Sequence, residues 1–163
     1  MKTKIISIAI LFVTLTANIF TVSSQNYSDH FFDRKYENNQ VVSSTRYEMG
    51  YEGLYEKTQS VEYSYDEDGK LSKKETFSWN SKKESWIPQT RIEYTYSYLN
   101  NSYTAELYKW NSKKEEFEPS FEKASYQTDF SGNVVSLSFI KTNRQGKDIE
   151  ILRWSKEIIY FAM

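Results

Sequence analysis

Glu75 and Glu106 stand 31 residues apart at equivalent places in two similar segments. A pair of carboxylates flanking a glycosidic bond can serve as acid and base. Placed two strands apart and one row offset in a sheet, their backbones would lie ~10–12 Å apart, and their side chains would approach an inverting enzyme's spacing. Duplication accounts for the same pairing without chemistry. The protein is therefore expected not to be an enzyme, and a glycan-active hydrolase is the weakest alternative. Lys73, Glu75, Tyr94, Glu106, Tyr108, Trp110 and Lys123 are the residues expected to bind a ligand. Rings stack on sugar C–H surfaces while carboxylates and ammonium groups meet hydroxyls. Charges in a dry core cost several kcal/mol unless paired. These charges thus either line a wet groove or sit at the rim, with stems packed and heads solvated.

Other candidates carry less. Asp66-Glu67-Asp68-Gly69 looks like part of a calcium loop, but its counterparts at 97–100 and 129–132 lack that carboxylate arrangement. No bidentate Glu follows, so a hairpin turn is expected. His30 is the single histidine and cannot build a zinc site. The chain contains no cysteine, which excludes disulfides, thiol catalysis and a lipidated N-terminal cysteine. No cofactor or metal is expected. The Trp79/Trp86 and Trp110/Phe117 pairs are either a stacking platform or cross-strand packing.

Residues 1–24 read as an export signal. Met1-Lys2-Thr3-Lys4 is followed by an apolar run from Ile5 to Val13 and by Val22-Ser23-Ser24, with cleavage expected after Ser24. Thr14, Thr16 and Asn18 break the run, and no other apolar stretch approaches the ~20 residues of a membrane helix. An integral membrane protein is not expected. Residues 25–163 would form one all-β repeat domain, exported to the periplasm or cell surface. Without Lys2 and Lys4 the balance is 19 basic against 22 acidic residues, which does not favour nucleic acid or an anionic membrane.

The elements that must position these residues come from an internal repeat. Val61–Pro88 and Ile92–Pro119 align without gaps at 11 identities in 28, including Trp79–Glu84 and Trp110–Glu115. A partial copy begins near Ala124, and a degenerate one lies at Tyr36–Val41. Turn residues predict strands at 30–36, 40–48, 54–65, 70–79, 85–98, 102–110, 116–129, 134–141 and 147–154, an antiparallel up-and-down meander. The register follows from the turns: Tyr65 with Leu71, Val61 with Glu75, Trp79 with Trp86, Phe77 with Pro88, Leu71 with Tyr94, Trp110 with Phe117. Asn100 standing where the glycine was pairs Tyr96 with Ser102 and Ile92 with Glu106, and Gly132 pairs Ser125 with Leu137. Under alternation, Tyr63, Phe77, Trp79, Trp86, Ile92, Tyr94, Tyr108, Trp110 and Phe139 share one apolar face. That face must curl toward a barrel, fold into a sandwich or be covered, since burial at about 25 cal/mol per Å² is the main driving force available. Strand and helical lid both remain open for 149–162. On the opposite face Tyr103, Ala105, Leu107, Ala124, Tyr126, Val134 and Ile140 form an apolar patch, and Tyr103, Leu107 and Tyr126 are its expected homodimer contacts.

Tyr63-x-Tyr65-Asp66-x-x-Gly69-x-Leu71 resembles the tyrosine–aspartate (YD) repeats of bacterial shells. With the leader, the length and the Trp-Asn-Ser-Lys-Lys-Glu hairpins, the chain is more closely similar to an uncharacterised family of small secreted Bacteroides proteins, a domain of unknown function. That resemblance implies an envelope setting and a β-meander and brings no activity. The leading expectation is an exported binding or interaction module whose aromatic-rich sheet face takes a glycan or an envelope protein. A structural assembly protein with a fully buried aromatic face is the alternative.

Overall fold

Among the described residues, alternating side chains and tight turns give nine antiparallel strands: β1 (His30–Glu37), β2 (Gln40–Met49), β3 (Tyr55–Tyr65), β4 (Leu71–Asn80), β5 (Ser85–Ser97), β6 (Ser102–Asn111), β7 (Glu116–Thr128), β8 (Val134–Thr142) and β9 (Asp148–Ser155). This computed structural model describes residues 29–143 and 145–155. The strands form one sheet in sequence order, a meander that does not close into a barrel. The expected closure, second layer or lid is not present among the described residues. Residues 149–155 belong to strand β9, while 156–163 and the expected export signal lie outside the described residues. No helix among the described residues is long and apolar enough to cross a membrane.

The turns supply the pauses. Asp66 accepts hydrogen bonds from Asp68 N at 3.1 Å and Lys70 N at 2.7 Å, and Gly69 takes φ +75°. The backbone bond from Gly69 N to Asp66 O closes a hairpin turn. Asp129 and Asn143 cap their turns with the same pattern of bonds to residues two and four further on.

Register departs from the sequence expectation in a systematic way. Pairs beside the turns hold: Tyr65 with Leu71, Trp79 with Trp86, Phe77 with Pro88 and Trp110 with Phe117. Beyond them a β-bulge intervenes on seven of the eight strand pairs. Ser72 is the extra residue between β3 and β4, so Tyr63 pairs with Lys74 rather than Lys73, and Val61 with Thr76 rather than Glu75. Gln89 is the extra residue between β4 and β5, and Lys74 rather than Lys73 then faces Ile92. The β5–β6 loop has four residues with Asn101, not Asn100, at positive φ (+45°). Tyr96 therefore meets Tyr103 instead of Ser102, and Ile92 meets Leu107 instead of Glu106. Ser125 meets Ser138, leaving Leu137 to Tyr126.

Each one-residue bulge moves the later side chains of its strand to the other face, whereas the two extra residues on β7 leave the alternation there unchanged. The single apolar face expected from sequence is therefore two. Following the pairing from Trp79 through Lys74 and Ile92 to Tyr94 puts Trp79 and Tyr94 on opposite sides of the sheet. One side, the core face, carries the buried residues Ile92, Ala105, Leu107, Ala124, Tyr126 and Phe139. Its rows are Tyr94–Ala105–Ala124–Phe139–Leu152 and Tyr96–Tyr103–Tyr126–Leu137–Trp154. A single layer can bury these positions because rings lean over methyl groups. Ala105 and Ala124 are 1% and 0% exposed beside the stacked Tyr103 and Tyr126 rings, whose centroids lie 4.5 Å apart. The patch expected to join two copies is thus this chain's own core. Leu107 and Tyr126 are buried and Tyr103 is half-buried, while Ile140 lies on the other face opposite Lys123.

Burial, followed by the neighbouring phenols of Tyr126, Tyr96, Tyr103 and Tyr63, pushes the Tyr94 hydroxyl well above its ordinary value. That buried oxygen meets no hydrogen-bond partner among the described residues. Removing it relieves a desolvation penalty. Tyr94→Phe is expected to leave the fold intact and raise stability by ~1 kcal/mol in urea titration.

Candidate functional site

The opposite side, the open face, gathers six of the seven residues singled out from sequence. One row runs Lys73–Glu93–Glu106–Lys123 across β4 to β7, and the next runs Glu75–Arg91–Tyr108–Pro119. Trp110 and Phe117 form the next pair along β6 and β7, in edge-to-face contact at 5.1 Å. Tyr94 is the exception. It belongs to the core face and takes no part in the site.

Lys73 and Glu106 do share a row, as expected, but Glu93 rather than Ile92 lies between them. The sequence reading missed Glu93 and Arg91 because the unbulged register sent both to the reverse side. Arg91 organises the site. Its guanidinium bonds Glu75 at 2.7 and 2.9 Å, lies 3.6 Å from Glu93 and packs 4.3 Å over the Phe117 ring. Lys73 adds a 3.0 Å bridge to Glu75. Burial raises the Glu75 carboxyl, but hydrogen bonds and charge from Lys73 and Arg91 outweigh it and hold the group below the ordinary carboxylate value. An acid held as its anion is a poor proton donor, so Glu75 is unsuited to the general-acid half of a hydrolase pair.

Glu93 and Glu106 face each other directly across β5 and β6. Like charges so placed destabilise a sheet. The Tyr108 hydroxyl donates to Glu106 at 3.4 Å, and burial followed by the charges of Glu93 and Glu106 raises its phenol. No cation pairs with the exposed Glu106 among the described residues. The Lys123 ammonium is instead taken by Asp148 at 2.6 Å.

Two adjoining hollows flank this row on β7. One is lined by Glu106, Tyr108, Pro119, Phe121, Lys123 and Thr142 among others; its neighbour shares Pro119 and is lined by Trp110 together with Lys109, Glu118 and Ser120, which alternation turns toward the reverse side. Between them the β6–β7 register jumps from Pro119 to Glu122, leaving Ser120 and Phe121 unpaired. Positive φ recurs 31 residues apart at Gly53, Glu84, Glu115 and Gly146, and an unpaired residue follows five positions after each (Thr58, Gln89, Ser120, Ile151). At β7 alone a second extra residue is added. It is Phe121, at φ +60° and 61% exposed, a left-handed conformation that costs a non-glycine residue ~1–2 kcal/mol. Strain is concentrated where the hollows meet. Phe121→Gly is expected to raise stability by ~1 kcal/mol in chemical denaturation, because little ring burial is lost.

A cluster of three or more metal-ligating side chains is not found among the described residues. The Asp66–Asp68 segment is a turn whose carboxylates bond its own backbone and the Tyr98 hydroxyl.

Three solved structures resemble this chain. A protein of unknown function from Bacteroides fragilis NCTC 9343 superposes with a TM-score of 0.68 at 24% identity, over 78% of this chain and 91% of that one. A Bacteroides vulgatus ATCC 8482 protein of the DUF3836 family gives 0.52 at 34% identity over 56% and 91%. One from Parabacteroides distasonis ATCC 8503 gives 0.55 at 27% over 61% and 90%. The latter two are nearly fully covered yet span little more than half of this chain, so they are shorter chains. None of the curated proteins matches the chain. The family model for DUF3836, a family of unknown function, matches residues 1–128, and the chain belongs to that family.

Proposed function

We propose that this protein is an exported, non-enzymatic binding module of the bacterial envelope, built from 31-residue, YD-like hairpin repeats, whose open face takes a glycan. Export rests on the leader-like residues 1–24. The repeat is supported by the two similar segments and by the evenly spaced positive-φ turns.

The observation that carries the binding role is the Glu93/Glu106 pair beside Tyr108, Trp110 and Phe117, on a face over which no second layer lies among the described residues. Opposed carboxylates work against the sheet, and their acceptor oxygens are satisfied by a partner rich in hydroxyl donors. Rings at the same edge offer flat apolar surface for the C–H faces of a sugar. The anionic state of Glu75 favours binding over hydrolysis, and the near-balanced charge of the two rows disfavours a polyanion.

A glycan array tests this proposal. Wild type is expected to retain a defined subset of glycans, Trp110→Ala and Glu106→Gln to lose at least tenfold in affinity, and Tyr94→Phe to bind as wild type. An array without hits, or retention unchanged in both site variants, contradicts it. Sugar release that disappears in Glu106→Gln would establish a hydrolase instead.

A further inference from the structure

The core face does not stop at a covered boundary. Its rows run out through Phe139 and Leu137 to Leu152 and Trp154 on β9, the last strand of the sheet. Ile149, Ile151, Leu152 and Trp154 are 50%, 44%, 44% and 50% exposed. Among the described residues no strand pairs with the outer side of β9. An open apolar edge of this kind is a template for strand addition. Soluble proteins usually blunt such edges with charge.

We propose that β9 is a self-association edge, pairing antiparallel with β9 of a second copy about a twofold axis normal to the sheet, between Ile151 and Leu152. The bulge makes this register possible. In an unbroken strand, residues an odd number apart point to opposite faces and cannot oppose each other across such an axis. The register shift between Phe139 and Ile140 leaves Ile151 unpaired with β8, so Ile149, Leu152 and Trp154 share the core face while Glu150 and Arg153 share the open face. Arg153 bonds Glu150 of its own strand at 2.7 Å, and the twofold sets that pair against its counterpart, Glu150 opposite Arg153 of the other copy and Ile149 opposite Trp154, each twice. The edge is complementary to itself in charge and in apolar character. It is an isologous contact, which closes at two copies.

The opposite edge lacks this property. β1 has no unpaired residue of its own, since the shift there is taken up by Val42 in β2. Pairing β1 with itself about its middle sets Asp33 against Asp33 or Arg34 against Arg34. Its Phe31 ring is already stacked on Tyr47 at 4.7 Å and set against Tyr55 at 4.9 Å.

Light scattering across a concentration series on the purified protein tests the proposal. A concentration-dependent rise to twice the monomer mass is expected. Arg153→Glu should weaken the dimer at least tenfold, and the Glu150→Arg/Arg153→Glu swap should restore it, because reversing both charges preserves every cross-copy pair. Arg153 is 65% exposed at its side chain, so thermal melting of the variant should match wild type and separate lost association from lost folding. A monomer at all concentrations, a dimer indifferent to Arg153→Glu, or open-ended species of rising mass (β9 joined to β1) would each overturn it. The glycan array reads the open face and leaves this outcome independent.

Discussion

Tyr126→Ala is expected to cost ~3–5 kcal/mol, the range for removing a buried aromatic side chain, and to leave little folded protein at moderate denaturant. The ring is 3% exposed and stacks on Tyr103, while Ala105 and Ala124 depend on the same rings for cover. Among the described residues no opposing layer stands ready to relax into the space, so the loss falls on the core row. Trp154→Ala makes the useful contrast. It lies in the same row but is 50% exposed at the edge, and its cost should be under half that of Tyr126→Ala. Urea titration of both variants measures the difference. Equal costs would mean that the core does not lie where the register puts it.

Arg91→Ala should have the second largest effect, ~1–2 kcal/mol. It strips Glu75, whose side chain is 13% exposed, of the partner that contacts it twice and removes the cation from the Phe117 ring. The cost is smaller than for a fully buried pair because Arg91 and Lys73 retain 30% and 36% exposure. A pH dependence follows from the same contacts. The folded Glu75 lies below its unfolded value of 4.5, so the folded state prefers the anion. The stability this contributes is complete above the unfolded value and is lost as pH falls through the lower folded one. Denaturation midpoints of wild type should therefore decline in that acid window. Glu75→Gln should be weaker at neutral pH and flatter across the window. A parallel decline in both would show that other carboxylates carry the effect.

Much of the fold was legible in the sequence because turn chemistry is local. Gly69 and Gly132 adopt the left-handed conformation their turns need, and all nine strands fall within one residue of the predicted bounds at each end. Pairs adjoining the turns, such as Trp79 with Trp86, were legible for the same reason. Which face a residue takes was not. Ser72 and Gln89 are ordinary strand residues, and nothing in their type marks them as the ones the ladder skips. A single skipped residue reverses every side chain beyond it. The six site residues still came together because no skipped residue lies between Lys73 and Trp79 on β4 or between Glu106 and Trp110 on β6, and the two skipped on β7 leave Lys123 on the side of Phe117. Tyr94 was misplaced because it lies past Gln89 on β5, where Ile92 begins the core face. Arg91 and Glu93 were hidden by the same offset. The even spacing of positive-φ residues was the readable clue, since a repeat that fixes its turns also fixes its bulges.

Bulge-driven face switching is the claim on which the binding site and the paired edge both depend. Because the chain has no cysteine of its own, single-cysteine variants at Glu106, Lys123, Ala105 and Ala124 report each face without interference. Under native conditions the thiols at 106 and 123 should react with a water-soluble maleimide at least tenfold faster than those at 105 and 124. Equal rates at neighbouring positions, or faster reaction at 105 and 124, would contradict the account.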